Sequence, residues 1–100
     1  MPTDKQAAEA VLAQIAAVAD ARMRAMFGGY VIYVDEKVIG QFDENQLFVK
    51  ITPFGEQYAP ELDCASPYPG AKPAFVMPPE RLEDTDWLRE FIVGTRRQIK

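Results

Sequence analysis

The sequence predicts an α+β domain of two layers: an antiparallel sheet of four to five strands in a meander, with an N-terminal, a short middle and a C-terminal helix. Three observations carry this. Apolar residues recur at helical spacing near both ends of the chain. At Arg22 the period drops to two. From there to Ile51, runs rich in β-branched and aromatic residues alternate with short polar reversals.

The first helix is predicted over residues 4–20. Thr3 is the expected N-cap, with Gln6 completing a capping box. Ala8, Val11, Leu12, Ile15, Val18 and Ala19 form its apolar stripe. A first strand follows, in which Met23, Ala25 and Phe27 alternate with Arg22, Arg24 and Met26. Gly28-Gly29 then marks a turn or bulge with positive φ. Further strands are expected over residues 30–34, 38–42 and 46–51, separated by Asp35-Glu36-Lys37 and Asp43-Glu44-Asn45. Thr52 and Pro53 are a cap and a first helical residue, opening a short helix over residues 53–59. Pro67, Pro69 and Gly70 make residues 61–72 a loop. A last strand over residues 74–77 ends at Pro78-Pro79, where one helical turn over 79–82 is expected. The final helix runs over residues 85–98, capped by Asp84, and buries Trp87, Leu88, Phe91, Ile92 and Ile99 with Thr95 beside them.

A chain of 100 residues holds one domain, residues 1–100, and 48% hydrophobic residues suffice for a packed core. The single cysteine, Cys64, cannot form an internal disulfide, which points to a reducing, cytoplasmic location. No run approaches the roughly 20 apolar residues of a membrane span, and the N-terminus does not read as a signal peptide. The net charge of −4 makes direct DNA binding an unfavoured expectation, because phosphate contacts call for a basic surface. There is no histidine, which removes the usual base near neutral pH and the usual zinc ligand. The expectation is therefore a protein that is not an enzyme and takes no cofactor or metal.

Met26-Phe27-Gly28-Gly29-Tyr30, then Tyr33-Val34-Asp35, then Leu47-Phe48-Val49-Lys50 resemble the TfoX N-terminal domain family in combination. Pro67-Tyr68-Pro69-Gly70 and Met77-Pro78-Pro79-Glu80 are similar to the family's aromatic loop and its lead into the last helix. Two departures stand out: Glu36 where the family often has Gly in the hairpin, and Pro78 where it usually has an aromatic. The resemblance implies a two-layer α+β fold similar to secretion-chaperone-like domains. It also implies a regulatory, competence-related setting, known from relatives with a second, C-terminal domain that is not expected here.

Several groups invite a chemical reading. Gly28-Gly29 leads into a strand rather than a helix, so it reads as a turn and not a phosphate cradle. Glu80, Glu83, Asp84 and Asp86 sit where helix N-termini attract carboxylates for capping reasons. Cys64 has Asp63 beside it, which disfavours a reactive thiolate. Arg22, Arg24 and Lys50 are candidate contacts for an anion or acidic partner if the sheet brings them together, and they carry the alternative of an accessory nucleic-acid or small-ligand binder.

The run from Tyr30 to Val34 is apolar on both faces, whereas a half-buried strand should alternate. Helices on one side cannot cover Val31, Tyr33 and Phe48 on the other. Either the Pro-rich loop folds over them or another chain does, as a homodimer or a protein partner. The leading expectation is a non-enzymatic protein-interaction domain using that second face.

Overall fold

The computed structural model describes residues 4–26 and 28–99. Helix α1 spans Lys5–Ala16. Its cap is Asp4, whose carboxylate accepts from the Gln6 N–H at 2.9 Å. The cap expected at Thr3, like Phe27 in the first strand, lies outside the described residues. The Asp4 N–H also donates to Asn45 Oδ1, tying the helix start to a sheet turn. The helix stops four residues short of its predicted end. By Asp20 the chain has joined the sheet, where the Asp20 carbonyl accepts from the Asp35 N–H at 2.9 Å.

Six strands form one antiparallel sheet: β1 Ala21–Met26, β2 Gly29–Val34, β3 Lys37–Asp43, β4 Gln46–Val49, β5 Cys64–Ala65 and β6 Ala74–Met77. Their order is β1-β2-β3-β4-β6-β5. The two polar reversals are tight two-residue hairpins. Asp35 and Glu36 join Val34 to Lys37 with φ of 50° and 66°; Glu44 and Asn45 join Asp43 to Gln46 with φ of 49° and 61°. Positive φ at both central residues matches the right-handed twist of paired strands. Glu36 therefore takes the left-handed conformation without being glycine.

The register of β2 against β3 slips between Ile32 and Tyr33: Ile32 faces Gly40, but Tyr33 faces Val38. Ile39 is the extra residue of this bulge and is fully buried. Gly40, next to it, lies so close to β4 that a Cβ there would sit 2.0 Å from the Phe48 carbonyl oxygen. Only glycine fits this crossing.

Helix α2 spans Pro53–Tyr58, with the Thr52 hydroxyl accepting from the Gly55 N–H at 3.1 Å. The short α3, Pro79–Leu82, and the long α4, Thr85–Arg97, start where the prolines and the Asp84 cap place them. The helices cover one sheet face. There Ile15, Leu88, Phe91 and Ile92 meet Ile32, Val34, Ile39, Leu47, Val49 and Met77. Tyr58 and Trp87 flank Phe91, with Trp87 stacked on it at 5.0 Å between ring centroids.

The strand β5 corrects the expectation that residues 61–72 hold no regular structure. Cys64 and Ala65 pair with Phe75 and Ala74 on the outer edge of β6. Two residues leave no periodic signal; only the approach of β6 makes them a strand.

Candidate functional site

Core packing on one face fixes which side chains point the other way. With Ala21, Met23, Ile32, Val34, Leu47, Val49, Phe75 and Met77 turned to the helices, alternation sends Arg22, Arg24, Val31, Tyr33, Phe48 and Val76 to the outer face. Register then arranges them in rows across the strands. Arg22 faces Tyr33, which faces Val38. In the next row Arg24 faces Val31, Val31 faces Gln41, Gln41 faces Phe48, and Phe48 faces Val76.

The Pro-rich loop of residues 66–73 folds over part of this face. Its tip is a four-residue turn in which the Ala71 N–H donates to the Tyr68 carbonyl at 3.1 Å. Pro69 and Gly70, the latter at φ +89°, take the two central positions, as a type II turn requires. The Ser66 hydroxyl donates to the Ala71 carbonyl and closes the base. Phe48 is left only 9% exposed. Val31 and Tyr33 remain half-buried, while Tyr68 at 52% and Met26 at 39% stand open. The loop thus covers the β4 side of the face and leaves the β1–β2 side uncovered.

Two adjoining hollows result. One, of about 390 Å³, lies between Met26, Gly29, Val31 and Tyr68. The other, of about 720 Å³, is an open trough floored by Val31, Val38 and Phe48 and flanked by Lys50, Tyr68 and Lys72. Val31, Gln41 and Tyr68 line both and join them into one channel.

The three candidate cations do not converge. Arg22 is engaged by Glu36, its Nε at 3.1 Å and its Nη2 at 2.7 Å from Oε2, and its guanidinium lies 4.1 Å from the Tyr33 ring centroid. The hydrogen bond from Arg22, with its charge, holds the Glu36 carboxyl below the usual carboxylate range. Arg24 is exposed beside Val31. Lys50 follows β4, three strand spacings from β1, or about 14 Å.

Two of the acidic candidates have structural partners. Asp84 accepts from the Trp87 N–H, and Asp86 pairs with Arg89. Among the described residues no three histidine, cysteine or acidic side chains gather as a metal site. Cys64 is exposed on β5. Gly28, at φ +82°, turns β1 into β2. Burial raises the Tyr58 phenol above its ordinary value, and its hydroxyl donates to the Trp87 carbonyl. No described helix is long and apolar enough to cross a membrane.

Sequence reasoning did not single out Met26, Gln41, Tyr68 or Lys72 as parts of this face. Tyr68, an aromatic held between two prolines, was the available signal. Lys72 carried none, since its place depends on how the loop folds back.

The family described as the TfoX N-terminal domain matches residues 13–98. A relative from Spirochaeta aurantia, an uncharacterised 12.7 kDa protein in the trpE 5′ region, is 38% identical over 76 residues. That alignment covers 76% of this chain and 66% of the relative, so the chain spans just under two thirds of the relative's length.

Proposed function

The chain belongs to the TfoX N-terminal domain family, and from that premise we propose that it is a non-enzymatic protein-interaction domain in a regulatory setting. The supporting observation is the outer sheet face, where the half-buried Val31 and Tyr33 adjoin the exposed Met26 and Tyr68. Apolar groups gathered on one open face, and rimmed by Arg24 and Lys50, have the character of a docking surface. The chain has no imidazole to supply a base near neutral pH. Val31, Tyr33 and Phe48 enter the surface differently: Phe48 is buried, while Val31 and Tyr33 are half-buried.

Affinity capture from native cells with quantitative mass spectrometry tests this reading. Partners held by the wild type should be lost with Val31→Glu and kept with Glu90→Lys on the opposite, helical side. Identical partner sets for all three proteins would refute the assignment to this face. Light scattering addresses the homodimer form of the proposal, which a strict monomer at tens of micromolar (on the order of the concentrations where weak dimers form) would end.

A further inference from the structure

The trough on the outer face differs in charge from the rest of the molecule. The chain is acidic, with 15 carboxylates against 11 cations. The trough under the Pro-rich loop nevertheless has Lys50 and Lys72 along its walls and, among the described residues, no Asp or Glu, whereas the hollow it adjoins is lined by Asp43. Arg24 stands exposed one residue across from Val31 on the floor. By contrast the cleft near α3 is lined by Glu61, Asp63, Glu80 and Asp84 around a single Arg81. Carboxylates therefore gather around Val76 and α3, and lysines along the trough.

The shape narrows the occupant. The floor crosses from β2 through β3 and β4 to β6, three strand spacings and about 14 Å, the reach of roughly four to five extended residues. It is an open trough, and a small molecule resting in it would keep much of its surface in water, unlike the enclosed sites such ligands use. A peptide segment has the needed length. Its apolar side chain can lie on the half-buried Val31 and Val38 against Tyr68, with carboxylates beside it meeting Lys50 and Lys72.

We propose that this trough binds an extended acidic-hydrophobic peptide segment of a partner protein. The proposal rests on the protein-interaction reading above and adds the chemistry of the partner. Flanking lysines on an exposed rim steer association and select against basic segments more than they add affinity. The apolar floor and Tyr68 supply the anchor.

The experiment is selection of a random nine-residue peptide display library on the intact protein. Fluorescence polarisation of the most enriched peptides then follows, on wild type, Lys50→Glu/Lys72→Glu, Tyr68→Ala and Glu83→Lys/Glu90→Lys. Circular dichroism confirms that each variant is folded. The expected result is enrichment of net-negative peptides that carry at least one aromatic or large aliphatic residue. Their affinity should fall about tenfold or more with the lysine reversals and with Tyr68→Ala, fall with added salt, and hold with the helical-side variant. Peptides without charge bias, peptides indifferent to the lysine reversals, peptides lost with the helical-side variant, or no enrichment at all would overturn it. So would doubling of the mass with the trough blocked, since the occupant would then be a second copy. If native partners are still captured through Val31 while acidic peptides fail, the peptide chemistry falls and the interaction reading survives.

Discussion

Replacing Gly40 by alanine is expected to lower folding stability by about 3 kcal/mol. The new Cβ would sit 2.0 Å from the Phe48 carbonyl oxygen and 2.9 Å from the Val49 Cα, both backbone atoms that no rotamer change removes. To reach even a tight contact, β3 and β4 have to part by about 1 Å. The adjacent bond from the Lys50 N–H to the Ile39 carbonyl, 2.8 Å long, would then exceed ordinary hydrogen-bond length. A buried polar group left unpaired costs about 1–3 kcal/mol. Ile39 and Val49, both fully buried, would move with their strands and disturb the core by about 1–2 kcal/mol more. The loss of glycine's freedom in the unfolded chain offsets about 0.4–1 kcal/mol of this. Urea unfolding followed by the fluorescence of Trp87, the single tryptophan, measures the balance. Thermal unfolding should show a drop of roughly 15 °C. Gly70→Ala is the control: its Cβ meets nothing within 4 Å, so only the φ of +89° is strained and about 1 kcal/mol is expected. A Gly40→Ala protein within about 1 kcal/mol of wild type, with an unchanged denaturant slope, would refute the close-approach argument.

Thr52→Ala should cost about 1–2 kcal/mol, because the hydroxyl that accepts from the Gly55 N–H is buried, and Thr52→Ser should recover most of it in the same urea assay. Glu36→Gln bears on pH. The folded-state pKa of Glu36 lies below its ordinary value, first through the hydrogen bond from Arg22. Its contribution is present above the ordinary carboxylate pKa and disappears as the pH falls through the lower folded value. The gap in midpoint between wild type and Glu36→Gln should therefore close in acid. It should also be small at neutral pH, since both side chains are largely exposed. A gap that widens in acid would reverse the assignment.

Much of the fold was legible because its causes are local. The positions of α3 and α4 follow from Pro78-Pro79 and from Asp84, whose carboxylate reaches the Trp87 N–H three residues on. The hairpin at Asp35-Glu36 formed where polar residues interrupt two apolar runs. The two-sided apolar character of residues 30–34 correctly posed the question of what lies over Val31 and Tyr33. The answer was not local. It depended on a turn at residues 68–71 folding the loop over Phe48, about 20 residues earlier in the sequence, and leaving Val31 and Tyr33 half-buried. Grouping Arg22 and Arg24 with Lys50 failed for the same reason: only the strand order shows that β2 and β3 lie between β1 and β4.

Local sequence signals were enough for the strands β1 to β4 and β6, the Thr52 and Asp84 helix caps and the two polar hairpin turns, but not for β5 or for the cap and end of α1. The former depend on backbone sterics and hydrogen bonds within a few residues. Tertiary structure alone decided that β6 pairs with β4 and recruits β5, that Gly40 must lack a side chain, that Arg22 is claimed by Glu36, and that an acidic chain gathers Lys50 and Lys72 beside one apolar trough. Each of these requires atoms far apart in the chain to meet, and no local pattern records which of the many available meetings the folded core will select.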